Sequence, residues 1–195
     1  MQFKAFESGI EISGDSVAAT LDGFKKYPAV AMNYLMKFGF IKNKSDEINR
    51  SAWYAHENWL RVFEGIAIDV GPNSLYSIGK TIPANAVFPP QVNDIYSAIG
   101  SLDIAYHMNH RKNGVVMFNP ETGAMIEGIG HYRATPTPSE RKIVCVAENP
   151  YPCELDRGIY AALAARFEAQ ARTVHDDEAP CRKKGADSCT YTICW

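Results

Sequence analysis

The apolar residues of this chain change their spacing along its length, and that change limits the fold more than any single motif. From Ser51 to Val70, Trp53, Leu60, Phe63, Ala67 and Val70 recur at helical intervals, and Trp59, Val62 and Ile66 widen the stripe. Val92–His110 repeats the pattern with Val92, Ile95, Ile99, Leu102 and Tyr106. Beyond Gly114 the spacing turns extended over Val115–Phe118, Ala124–Ala134 and Arg141–Ala147, where Ile143, Cys145 and Ala147 alternate. Helical spacing returns over Pro152–Ala171 through Leu155, Ile159, Leu163 and Phe167, before two short strands at Thr173–His175 and Thr190–Trp195. Upstream, Phe3–Glu11 reads as a strand that Ser16–Asp22 could pair with, and Ala29–Phe38 and Asn73–Ile82 read as helices. This order predicts an α+β fold, with helices packed on an antiparallel sheet.

With 195 residues and 46% hydrophobic residues, the chain can bury the core of one domain, and residues 1–195 are read as one. Twenty Lys and Arg against 22 Asp and Glu leave no basic excess, which argues against a nucleic-acid binder. No run of about 18 apolar residues predicts a membrane span. The opening stretch carries Glu7 and Glu11 and lacks a basic region leading into an apolar one, so a cytoplasmic location is expected. In such a compartment the five cysteines are thiols, and a cluster of them points to metal or redox chemistry.

Such a cluster is present near the end of the chain. Cys181 and Cys189 bound a polar loop, and Cys153 starts the preceding long helix, which can fold back toward that loop. Three thiolates plus one carboxylate or imidazole satisfy tetrahedral zinc, with Glu178 and His175 as the candidates for the fourth ligand. Arg182, Lys183 and Lys184 would help keep the thiols ionised. Cys145 and Cys194 read as core, and His56 as surface. A Cys153–His175 nucleophile pair is the catalytic alternative, but it leaves Cys181 and Cys189 without a role. No catalytic residue is assigned. Nucleotide-binding glycine patterns and the G-x-S-x-G elbow are absent from the sequence.

The segments Glu178-x-x-Cys181…Gly185…Cys189-x-Tyr191-x-Ile193-x-Trp195 and Asn149-Pro-Tyr-Pro-Cys153-Glu-x-Asp-Arg-Gly158 resemble 4-vinyl-reductase domains. These belong to a superfamily that includes haem-NO-binding domains and TRAPP tethering subunits. The resemblance implies a zinc held by Cys153, Glu178, Cys181 and Cys189. It also implies a homodimer, with residues 1–50 as dimerisation or cap segment, and a sensor role passed to a signalling partner protein. With four protein ligands the zinc would be structural.

A second group of residues suits a flat, apolar or aromatic ligand: Trp53, Trp59, Phe63, Tyr106, His107, His110, His131 and Tyr132. Haem is a further option, with His107, His110 or His131 as axial ligand, although no C-x-x-C-H attachment site is present. The expected function is a small-molecule sensor or carrier stiffened by zinc. The alternatives are a tetrapyrrole vinyl reductase or its accessory, and a non-enzymatic protein-interaction module.

Overall fold

The computed structural model describes the backbone of residues 1–195 and every side chain except that of Asn85. Strand β1 (Ile10–Ser13) runs directly into helix α1 (Gly14–Phe24), whose first turn is capped by the Ser13 hydroxyl accepting from the Ser16 N–H. Helix α2 (Pro28–Lys37) starts on a proline and ends at Gly39, whose positive φ of 80° suits glycine. Strand β2 (Trp53–Ala55) leads into α3 (His56–Val70), and Gly71-Pro72 turns the chain into α4 (Pro72–Thr81). Short helices α5 (Ile95–Gly100) and α6 (Leu102–Met108) follow, then strands β3 (His110–Lys112), β4 (Val115–Val116), β5 (His131–Thr137) and β6 (Lys142–Glu148). Helix α7 (Cys153–Phe167) and strands β7 (Arg172–His175) and β8 (Cys189–Cys194) complete the chain. Among the described residues, no helix is long and apolar enough to cross a membrane.

The fold is α+β, as the spacing predicts, but with two antiparallel sheets rather than one. The first is ordered β2-β1-β3-β4 and the second β5-β6-β8-β7. Pro136 lies in the edge strand β5, the part of a sheet where a residue without an N–H is tolerated. In the second sheet Ile143 opposes Ile193, Cys145 opposes Tyr191 and Ala147 opposes Cys189, and all six are buried. Period-2 alternation thus turns Cys189, Tyr191 and Ile193 inward together. It turns Cys194 outward, which corrects its reading as core, whereas Cys145 is buried as expected.

Other expectations are revised for physical reasons. Ser16–Asp22 is helical, because the Ser13 cap starts a helix immediately after β1. Strand β2 pairs with β1 and takes Trp53 out of the expected helix, so α3 starts only at His56. His56 is buried rather than on the surface, its ring packed edge-on against His110 at 4.8 Å between centroids. The expected single helix over Val92–His110 is broken at Ser101, and Asp94 and Ser97 close a capping box at its real start.

Helices α4 and α7 cross closely because neither carries a side chain at the crossing. A methyl group on Gly79 would lie 2.1 Å from the Leu155 carbonyl oxygen, and one on Gly158 2.3 Å from that of Tyr76. This contact fixes the helix that begins with Cys153. Gly158→Ala therefore costs about 1–3 kcal/mol by forcing the helices apart. Urea unfolding should show it as a lowered midpoint at unchanged slope, and an unchanged midpoint would count against the crossing.

Candidate metal centre and ligand pocket

Three elements bring sulfur atoms to one point. Cys153 is the first residue of α7, Cys181 precedes a single 3-10 turn (Arg182–Lys184), and Cys189 opens β8 on its inward face. The Sγ of Cys153 lies 3.1 Å from that of Cys189 and 3.7 Å from that of Cys181, and Cys181 and Cys189 are 3.8 Å apart. Thiolates bound tetrahedrally to zinc at about 2.3 Å stand about 3.8 Å from one another. The fourth donor in the group is the imidazole of His175, with all four ligand atoms within 4.8 Å of one another. Glu178 is exposed in the following loop and does not belong to the group.

His175 is presented by the edge strand β7, where it pairs with Tyr191 and packs against its ring at 5.1 Å. Its Nδ1 lies 2.8 Å from Asp177 Oδ1, while its buried Nε2 has no hydrogen-bond partner among the described residues. An imidazole fixed by a carboxylate on one nitrogen, with the other left free, is arranged to take a metal ion. The donor set is thus three sulfurs and one nitrogen, a combination suited to zinc and closed to substrate.

The electrostatics around Cys189 suit an anion. A hydrogen bond from the Cys153 thiol, followed by the Arg182 guanidinium, holds Cys189 down to about 3, whereas Cys153 is pushed up by that shared bond and by burial. Arg182 donates to the Cys189 sulfur twice, from its backbone N–H at 3.3 Å and from Nε at 3.4 Å. Lys183 and Lys184, expected to help, bond to Glu154 and to the carbonyl of Asp177, and the Lys183 charge is also drawn to the Cys153 and Cys181 sulfurs.

Sequence reasoning missed what Arg182 does beyond this. Its side chain and that of Asp156 are both completely buried and ion-paired. Arg182 Nη1 donates to the carbonyls of Asn149 and Tyr151, each at 2.7 Å, and to Asn149 Oδ1. Asp156 accepts from the Tyr132 hydroxyl at 2.6 Å and from Asn149 Nδ2 at 3.2 Å. Burial raises the Asp156 carboxyl against the pull of Arg182 and Tyr132. For Arg182, burial is outweighed by Asp156, which lifts the guanidinium well above its usual range. A guanidinium does not give up its proton in a protein, so neutrality in this dry site requires the carboxylate. The only sequence signal for the pair is Asp156 on a helix that is otherwise apolar inward, one residue after Leu155.

On the far side of Tyr132 and Tyr151 lies a cavity of about 320 Å³. Trp59, Phe63, Tyr106, His110 and Tyr132, all in the group singled out in sequence, line it. Trp53, His107 and His131 are not among its lining residues. Trp53 sits on β2 beneath the Arg111 guanidinium, and His107 and His131 pack against each other with centroids 5.0 Å apart. Tyr151 and α1 residues such as Ser16 and Thr20 also line the cavity but carry no sequence signal. Its polar groups are largely engaged: Tyr106 donates to the Ile129 carbonyl, Ser16 to Asn109 Oδ1, and Tyr151 pairs with His110 Nε2 at 3.1 Å. Burial holds His110 down to about 4, so the ring is neutral.

Comparison with solved structures places the fold. The chain is similar to an H-NOX protein from S. oneidensis in the Fe(II)NO state, at 15% identity and a TM-score of 0.64, over 93% of this chain and 98% of that one. An oxygen-binding H-NOX domain related to soluble guanylate cyclases aligns at 14% identity and TM-score 0.61, over 93% and 94% of the two chains. A third H-NOX structure, solved to probe haem distortion, aligns at 13% identity and TM-score 0.61, over 94% and 95%. No protein-family description matches this chain, and no curated protein matches it. The chain has the H-NOX fold.

Haem, which those neighbours' names suggest, does not fit the lining residues. His110 is the one imidazole among them, and both its nitrogens are engaged, by the Tyr106 carbonyl and the Tyr151 hydroxyl. No Lys or Arg is among the lining residues to meet propionates, and Asp15 would repel them.

Proposed function

We propose that this chain is a small-molecule sensor or carrier domain of 4-vinyl-reductase type, whose cavity takes a small apolar or aromatic molecule and whose C-terminal third is pinned by a structural zinc. The ligands are Cys153, Cys181, Cys189 and His175. The cavity carries the reading: it is apolar, partly enclosed, of ligand size, and its polar groups are already paired. Zinc in this place supplies rigidity, tying α7 to β8 and to the loop between β7 and β8. The Arg182–Asp156–Tyr132 contacts run from the zinc ligand Cys189 to the cavity wall, so a rigid centre means a rigid wall. In the same proposal two copies pair through residues 1–50, and a separate protein takes the output.

A thermal-shift screen with phenols, fatty acids and porphyrins tests the reading. A phenol at a hundred times its Kd should stabilise the protein by about 2.7 kcal/mol. Ala105→Trp, which fills the cavity from α6, should abolish that shift. A shift confined to porphyrins, with a Soret band, would replace the reading with a haem one. No shift with any of the three would remove it.

A further inference from the structure

We propose that Asp103, His107 and His131 form a second metal site, for a divalent first-row transition ion, separate from the cysteine centre. Asp103 and His107 stand four residues apart on α6, so their side chains leave one face of that helix. His131 opens β5, which packs beside α6. One ligand atom from each residue lies within 4.8 Å of the other two. His131 Nδ1 is 2.9 Å from Asp103 Oδ2, and His107 Nδ1 is 3.5 Å from Asp103 Oδ1. The two imidazoles face each other with their planes 31° apart.

Each member is held in place by a further bond. The Tyr132 N–H donates to Asp103 Oδ1 at 2.9 Å, which orients the carboxylate. His107 Nδ1 lies 2.9 Å from the Asp103 carbonyl oxygen. Glu127 Oε2 is 3.1 Å from His131 Nε2, so His131 would bind through Nδ1, which now faces the fellow ligand Asp103 Oδ2 rather than an outside partner. Outer contacts of this kind fix ring orientation around bound metals.

His107 distinguishes this group from a closed hydrogen-bond cluster. Its side chain is fully buried, and its Nε2 has no hydrogen-bond partner among the described residues. With Nδ1 donating to the Asp103 carbonyl, Nε2 keeps a lone pair. A buried lone pair left unmatched costs stability, and an ion would satisfy it. Asp103 and His131 remain partly open to solvent, so an ion has a route in.

Two nitrogens and one carboxylate suit zinc, nickel, cobalt, copper or ferrous iron. Three protein ligands leave coordination positions for water or an added ligand. This site is therefore exchangeable, unlike the closed cysteine centre.

Cobalt separates the two sites by colour. Bound to thiolates it gives an intense sulfur-to-metal charge-transfer band in the near ultraviolet, and bound to nitrogen and oxygen only weak visible bands. The metal-free full chain is titrated with Co²⁺, and native mass spectrometry counts the ions bound. Wild type should take two equivalents. His131→Ala should take one, with the charge-transfer band intact and the weak visible bands lost. Asp103→Asn, which keeps the side chain's size, should behave the same way. A single equivalent in wild type that carries the charge-transfer band would overturn the proposal, as would a second equivalent retained in both variants. If the charge-transfer band is missing but a nitrogen–oxygen equivalent binds and is lost with His131, the cysteine reading fails and this one stands.

Discussion

Asp156→Ala should lower the free energy of unfolding by about 3–5 kcal/mol, a large share of what a domain of this size holds in reserve. The loss comes from Arg182. Its side chain is completely buried, and among the described residues Asp156 is its only carboxylate ion-pair partner. Removing the carboxylate leaves an uncompensated charge in a dry interior, and the carbonyls of Asn149 and Tyr151 that also receive its hydrogen bonds do not neutralise it. The Tyr132 hydroxyl and Asn149 Nδ2 lose their acceptor as well. Asp156→Leu combined with Arg182→Met should recover part of the loss, since an apolar pair of similar volume removes the charge outright. Urea denaturation of the three proteins checks this. A cost below about 1 kcal/mol for Asp156→Ala would mean that Asp156 does not compensate the buried Arg182 charge.

The second large effect is metal removal. If the proposed zinc centre is filled, chelation of its ion should cost several kcal/mol, because zinc binding and the ordering of its ligands are one equilibrium. The loosening should be confined to the start of α7, the loop from Asp176 to Ser188, and β8. The first residues of the chain should follow, since Gln2 Oε1 accepts from the Cys153 N–H at 3.3 Å and the Phe3 N–H donates to the Pro150 carbonyl at 2.7 Å. Helix α2 lies elsewhere and should keep its protection in amide exchange. Cys189→Ser should reproduce the effect. Equal melting temperatures for metal-free and metal-bound protein would contradict the pinning role.

The outline of the fold is legible in the sequence because each long element carries one period. Helices α3 and α7 have broad apolar faces and β6 alternates, so the fold class follows from spacing, whereas the 11-residue α1, whose start is set by the Ser13 cap, reads in sequence as a strand. Short elements are not legible. Strand β2 holds three residues and β3 another three, too few to show alternation, and neighbouring helical patterns absorb them. Two sheets instead of one follow from these short strands pairing with β1.

The cysteines are legible as a group because thiols near a helix start and at a strand start have few other roles. The imidazole is not separable from Glu178 by sequence, since the choice depends on which way an edge strand faces. Pairing of His175 with Tyr191 turns that ring inward, whereas Glu178 falls in the loop beyond the strand. Arg182 reads in sequence as one of three like charges beside the thiols. Adjacent identical charges part company in space when one of them meets a buried carboxylate, and nothing in the Arg-Lys-Lys run announces that. Of the residues grouped in sequence, the aromatic ones fall mostly on the cavity wall. His107 and His110 share α6 and the start of β3, but only His110 reaches the cavity.

X-ray absorption at the zinc edge of freshly purified, undenatured protein tests the central claim most directly. A zinc-bound centre predicts a first shell of three sulfurs at about 2.3 Å and one nitrogen at about 2.0–2.1 Å. A shell of nitrogen and oxygen alone, or material free of metal with Cys153, Cys181 and Cys189 all open to alkylation, would contradict it.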